Sequence, residues 1–129
     1  MGGAKVQGET AGSARELLRL SLDFEQAGAF MLMLEMVAEE TTNLITKKLT
    51  IPTIGMGAGP GCDGQGFISH ELLGMYDRPP VAFLKNYVRL HEPILQAFKQ
   101  YKEEVETGKW PDEEHTFHMR EGEKGKIPR

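Results

Sequence analysis

Apolar residues follow two rhythms along this chain, and their alternation predicts an architecture. Residues 2–12, rich in glycine and small polar residues, read as loop. Ser13 then caps a segment, ARELLRLSLDFEQAG, in which Leu17, Leu18, Ser21, Leu22 and Phe24 recur at helical spacing. Gly28 stands where a helix C-terminus favours glycine. AFMLMLE, residues 29–35, is apolar without alternation, which predicts a strand buried on both faces, as in parallel sheets. A short buried helix is the alternative; the tight glycine-bounded length favours the strand. AEETTNLITKKL (38–49) is a second helix, with acids in its first turn and lysines in its last, and with Leu44, Ile45 and Leu49 on its buried side. IPTIGMG (51–57) repeats the strand pattern, opened by Pro52 and closed by glycines.

Helix, strand, helix, strand with short connections implies βαβ crossovers, a parallel sheet and the α/β class. The chain beyond is less regular. QGFIS (65–69) predicts a short third strand, and HELLGMY (70–76) a helical turn. Ala58 to Gly64 are few residues for a crossover, but extended chain at ~3.4 Å per residue could travel back along one strand. AFLKNYVRL (82–90) is a candidate short helix after the break at RPP. EPILQAFKQYKEEVETG (92–108) is the clearest helix. Pro93 lies in its first turn, Ile94, Leu95, Phe98, Tyr101 and Val105 form its stripe, and Gly108 ends it. Residues 109–129 read as an irregular tail, and the whole of 1–129 as a single domain.

The composition narrows the function classes. With 129 residues and 40% apolar content the chain can bury a core. No run approaches the roughly 18–20 apolar residues of a membrane span, and MGGAKVQGET has no signal-peptide pattern. A net charge of −4 argues against a nucleic-acid partner. The one cysteine, Cys62, excludes an intrachain disulfide and fits a reducing cytoplasm.

Glu35 is the residue whose position asks for chemistry. Loops at the C-terminal ends of parallel strands build active sites. A carboxylate ending a dry strand should be partly desolvated, which disfavours its charged form and tunes a general base toward neutrality. The plain alternative is an acid that satisfies a neighbouring lysine or a helix N-terminus. GPGCDG (59–64) matches G-x-G-x-x-G formally, but no helix opens from it, so a dinucleotide site is rejected. Gly55, Gly57 and Gly59 instead let the backbone turn sharply or approach a ligand closely. Asp63 reads as a turn residue bonding its own backbone, Cys62 as inert, His70 with Glu71 as helix-cap chemistry, and Met31, Met33 and Met56 as core filler. His115 and His118 form an H-x-x-H pair beside Glu113 and Glu114; without a firm scaffold they read as a solvated or packed tail rather than a metal site.

Three stretches carry a family resemblance: AGAFMLMLE, LTIPTIGMGAGPGCDGQ and YKEEVETGKWPDEEHTFH, with GGAKVQGET before them. Together they resemble the C-terminal half of ketopantoate hydroxymethyltransferase (3-methyl-2-oxobutanoate hydroxymethyltransferase), from residue 2 to about residue 118. The resemblance implies a (βα)8 TIM-type barrel of which this chain holds the closing part. AFMLMLE would be about strand six, IPTIGMG strand seven and GQGFIS the region of strand eight, followed by C-terminal helices.

By position, Glu35 would be the family's general base. It would take the C3 proton of 3-methyl-2-oxobutanoate, and the enolate, stabilised by Mg²⁺, would attack the one-carbon unit of 5,10-methylenetetrahydrofolate. The family's metal-binding carboxylates and its substrate-binding Ser and Lys lie on earlier strands, so no metal ligand is expected in this chain. Other departures are Gly66 in place of a β-branched residue, Ala4 in place of an aromatic one, and no proline shortly after Glu35. The resemblance further implies pantothenate and coenzyme A biosynthesis, a cytoplasmic setting, and a homo-oligomer or association with a missing half-barrel. Two other readings stand beside it: an inactive or assembly-only fragment, and another barrel enzyme acting on carbon–carbon bonds next to a keto acid.

Overall fold

The computed structural model describes residues 5–127. The departure at Ala4 and the last two residues of the tail lie outside them. The chain divides into two compact units, Met1–Arg89 and Leu90–Arg129.

In the first unit, helix α1 (Ala11–Gln26) begins one turn earlier than its apolar rhythm indicates. Thr10 is the N-cap, and Ser13 is its partner in a capping box. The Ser13 N–H donates to Thr10 Oγ1 at 3.2 Å and the Thr10 N–H donates to Ser13 Oγ at 3.1 Å. The helix closes as expected at Gly28, whose φ of 95° permits the N–H groups of Gly28 and Ala29 to turn back onto the carbonyls of Glu25 and Phe24. Leu17, Leu18 and Leu22 face the core, whereas Phe24 is exposed. Ser21 is buried at no hydrogen-bonding loss, because its hydroxyl donates to the Leu17 carbonyl at 2.8 Å.

Strand β1 (Leu32–Glu35), helix α2 (Glu39–Lys48), strand β2 (Thr53–Met56) and strand β3 (Gly64–Gln65) follow. They form a parallel sheet in the order β1-β2-β3, in register Leu32–Thr53 through Glu35–Met56 and Ile54–Gly64. The α/β class and parallel sheet therefore match the expectation from sequence. The burial of β1 does not. Leu34 is buried beneath the helices, but Met33 and Glu35, which point to the opposite face, are exposed, as are Phe30 and Met31. A strand with no alternation in its sequence thus has one dry and one open face, because among the described residues no layer covers the second side. Met56 alone of the three methionines read as core filler is buried.

The core lies between sheet and helices. Leu34, Val37, Ile45, Leu49 and Ala58 are its centre, with Leu17, Leu18, Leu22, Leu32, Ile51 and Cys62 packed around them. Each fully buried aliphatic side chain there contributes about 1.5–3 kcal/mol. On α2 the inward positions are Thr41, Thr42 and Ile45; Leu44 is exposed.

No helix connects β2 to β3. Residues 57–63 return as non-helical chain along the outer side of the unit, passing Glu39 and Asn43 of α2 before Asp63 reaches Thr53 at the start of β2. Gly59 (φ 74°) lies so close to α2 that a Cβ there would stand 2.7 Å from the Glu39 side chain. Beyond β3, helix α3 (Ser69–Leu72) is a single turn. Residues 82–90 are not helical: Tyr87 donates its N–H to the Leu72 carbonyl at 2.9 Å and the Asn86 side chain donates to the Glu71 carbonyl.

In the second unit, helix α4 (His91–Glu106) is held by side-chain pairs one turn apart. Gln100 donates to Glu104 at 2.8 Å, and Lys102 pairs with Glu106 at 3.6 Å. Its apolar stripe is expressed but not buried: Phe98, Tyr101 and Val105 are exposed, and no residue of the helix is buried. Short 3-10 turns at Glu113–His115 and Lys124–Lys126 are the regular elements after it. Among the described residues no helix is long and apolar enough to cross a membrane.

Candidate functional site

Glu35 is the last residue of β1, at the C-terminal end of the parallel sheet, paired in register with Met56. Its side chain shares the open face with Met33 and is exposed, so the desolvation expected for it is not present in this chain. Among the described residues its carboxylate makes no hydrogen bond and no ion pair.

The residue after it is unusual. Met36 has φ 52°, in the left-handed region that costs a non-glycine residue of order 1–3 kcal/mol. Backbone bonds on both sides hold it there. The Met36 N–H donates to the Met56 carbonyl at 2.9 Å, and the Met36 carbonyl accepts from the Gln7 N–H at 2.8 Å. Gln7 then accepts from the Ala38 N–H at 2.9 Å and forms a parallel bridge with Val37. The segment read as loop therefore places one strand-like residue beside the tip of β1, in the next sheet position. Nothing in the local sequence signals the Met36 conformation, since methionine carries no preference for it. The KVQG stretch was part of the resemblance, but its pairing was not legible.

The glycine-rich stretch supports the strand tips rather than cradling a nucleotide. Gly57 (φ 63°) sits beneath the Phe83 ring, 2.6 Å from where a Cβ would stand, and Gly55 faces Cys62. Asp63 bonds chiefly Thr53, accepting from the backbone N–H at 2.8 Å and from the hydroxyl at 2.9 Å, with its own backbone N–H a lesser partner. These bonds, the backbone one first, hold its carboxyl below the ordinary aspartate value. Glu25 does the same for the turn before β2. Its Oε1 accepts from the Thr50 hydroxyl and from the N–H groups of Thr50 and Ile51, and its carboxyl is likewise lowered.

Glu71, expected as a cap residue, is instead buried and paired with Arg78. His115 and His118 are exposed and tied to carboxylates, to Asp112 at 2.5 Å and to Glu113 at 2.9 Å. No group of three or more His, Cys, Asp or Glu suited to a metal ion occurs among the described residues.

A family model of ketopantoate hydroxymethyltransferase matches residues 1–113. The chain belongs to the ketopantoate hydroxymethyltransferase family. A 3-methyl-2-oxobutanoate hydroxymethyltransferase of Halalkalibacterium halodurans is 45% identical over 120 residues, covering 93% of this chain and 43% of the relative. The protein of the same name from Thermotoga neapolitana is 47% identical over 116 residues, 90% of this chain and 43% of the relative. That from Cenarchaeum symbiosum is 43% identical over 128 residues, 99% and 49% respectively. The chain thus spans less than half the length of these curated family members, and the strand tip that ends in Glu35 lies inside the matched region of the ketopantoate hydroxymethyltransferase model.

Proposed function

We propose that this chain carries the base-bearing part of a barrel enzyme that transfers a hydroxymethyl group to 3-methyl-2-oxobutanoate, with Glu35 as the general base. The observation that supports this reading most is the placement of Glu35. Among the described residues it is a carboxylate with no partner, at the C-terminal end of a parallel strand, beside a backbone held in a strained conformation. The Glu35 carboxylate takes the proton from C3 of the keto acid, and the C3–H electron pair moves into the enolate. Water adds to the methylene carbon of 5,10-methylenetetrahydrofolate and its bonds to N5 and N10 break, which releases tetrahydrofolate and leaves the one-carbon unit as formaldehyde. C3 then bonds to that carbon, the C=O π pair goes to oxygen, and the oxygen takes the proton back from Glu35 to give 2-dehydropantoate.

The described residues do not fit a magnesium site, since no group of three or more His, Cys, Asp or Glu suited to an ion occurs among them, and no step here passes through the ion. On this reading its ligands, and the strands that would cover the open face of β1, belong to the part of the family barrel outside this chain. Strands six to eight of that barrel would be β1, β2 and β3, and Gln7 would mark the end of strand five. A cytoplasmic homo-oligomer and pantothenate synthesis go with the same reading.

A second reading is favoured by the open face that carries the exposed Met33: the polypeptide alone is inert and serves only in assembly. Exchange of the C3 proton of 3-methyl-2-oxobutanoate for deuterium, followed by NMR, separates the two. The chain is measured alone and mixed with a polypeptide carrying the first five strands of a relative. Exchange that requires the complementing strands and disappears in Glu35→Gln is the expected result. Equal rates for wild type and Glu35→Gln remove the base.

A further inference from the structure

The backbone directly behind Glu35 is clasped by a segment from far earlier in the chain. Gln7 donates its N–H to the Met36 carbonyl and accepts from the Ala38 N–H, so it brackets the turn that leaves β1. Gly8 shows what holds Gln7 in turn. Its carbonyl accepts from the Thr41 hydroxyl at 2.8 Å, a bond between residues 33 apart in sequence. Thr41 lies in the first turn of α2 and is 3% exposed, and Gly8 is buried with it. The approach is close: Gly8 has φ 72°, and a Cβ there would stand 2.9 Å from both Cγ2 and Oγ1 of Thr41. Glycine at this position lets the chain come within hydrogen-bonding reach of the helix.

The bond bears on Glu35 through the strain at Met36. A left-handed residue other than glycine persists only where its surroundings over-determine it. At Met36 the determinants are Met56 on one side and Gln7 on the other. Met56 is fixed in β2, in register with Glu35 itself. Gln7 has no such support from its own element, since residues 5–9 hold a single bridge, that between Gln7 and Val37. A segment with so few bonds opens locally at small cost. The Thr41 hydroxyl ties it to a helix whose inner residues, Thr42 and Ile45, are fully buried.

We propose that Thr41 is a positioning residue for Glu35: its hydroxyl locks Gly8, Gly8 fixes Gln7, and Gln7 holds the Met36 turn that aims the carboxylate. The proposal rests on the reading of Glu35 as the general base. Without the hydroxyl, Met36 relaxes toward ordinary backbone angles and the carboxylate swings off the C3 proton. A misplacement of about 1 Å is worth up to about a hundredfold in rate.

Two measurements on Thr41→Val and Thr41→Ser test this. The first is NMR-detected amide hydrogen exchange of the full chain, which needs no catalysis. In Thr41→Val the Gln7 and Ala38 amides exchange faster, on the order of tenfold, the scale of one buried hydrogen bond. The Leu32 and Leu49 amides, bonded to Pro52 and Ile45, keep their wild-type rates. The second is the complemented C3 exchange assay, in which kcat falls by about the same factor and KM for the keto acid stays unchanged. Thr41→Ser, which keeps the donor, restores both readouts. Should Thr41→Val lose its fold, Thr41→Ala removes the same hydroxyl without adding bulk. Protection lost alike at all four amides would reduce Thr41 to a general stabiliser and overturn the proposal. So would equal losses in serine and valine, or a rise in KM with kcat unchanged. Loosened Gln7 and Ala38 amides with an unchanged C3 rate defeat this inference alone. A wild type without Glu35-dependent exchange defeats the functional reading, and the amide rates still decide whether Thr41 locks the turn.

Discussion

Asp63 fastens the return segment to the sheet by accepting two hydrogen bonds from Thr53, the first residue of β2. Thr53 is fully buried, and its hydroxyl also lies 2.9 Å from that of Thr46 on α2, so one carboxylate joins loop, strand and helix. The bonds lower the Asp63 carboxyl from its ordinary value of 3.8. A group whose folded value lies below its unfolded value stabilises the fold above the unfolded value and loses that contribution as pH falls through the folded one. Thermal melts of wild type and Asp63→Asn should therefore differ at neutral pH, with the variant less stable. The difference should close only below the ordinary aspartate range. A gap that is unchanged at all pH values would show that the charge on Asp63 contributes nothing.

The strain at Met36 gives a second test. Glycine adopts φ 52° without penalty, whereas a β-branched residue there is a severe outlier. Met36→Val should lower stability by roughly 1–2 kcal/mol in denaturant titrations, and Met36→Gly should be close to neutral. In the complemented exchange assay, Met36→Val should also slow loss of the C3 proton, because it disturbs the turn that follows Glu35. Equal effects of valine and glycine would mean that the conformation at 36 carries no cost.

Thr42 and Thr53 make a matched pair of opposite sign. Both are fully buried, but among the described residues the Thr42 hydroxyl has no hydrogen-bond partner, while that of Thr53 meets Asp63 and Thr46. Thr42→Val should raise the unfolding free energy by about 1 kcal/mol or more by removing an unsatisfied buried group. Thr53→Val should lower it. The same direction of change for both would remove the argument from hydrogen bonding.

The open face of β1 predicts association. Met33 and Phe30 are exposed, and the β3 edge is two residues long with nothing paired beyond it among the described residues. Size-exclusion chromatography with light scattering should give a mass above the monomer, reduced by Met33→Ser. A well-folded monomer at micromolar concentration would contradict this.

What the sequence disclosed, it disclosed through local chemistry. Gly28 marked the end of α1 because only a left-handed residue closes that motif, and the acids and lysines of α2 marked its two ends. The parallel pairing of β1 and β2 followed from helix–strand alternation. The exposure of Met33 could not, since an apolar residue is the same letter whether its cover lies within the chain or not. Likewise Phe98 and Tyr101 gave α4 a stripe without stating what meets it. Residues 82–90 had helical composition, but tertiary bonds from Asn86 and Tyr87 took the backbone elsewhere. Glu35 was singled out by position alone, as the acid that ends β1. The turn behind it, and the Gln7 bridge that holds that turn, were set by long-range backbone pairing that no local pattern records.

The connection between β2 and β3 has a consequence for the tolerance of the chain to change. A loop that hangs in solvent can gain or lose residues at small entropic cost. Residues 57–63 have no such slack: one end is fixed where Gly57 meets Phe83, and the other where Asp63 meets Thr53. Adding or deleting a single residue between those points would carry the carboxylate past its partner, so this stretch acts as a ruler whose length matters as much as its letters.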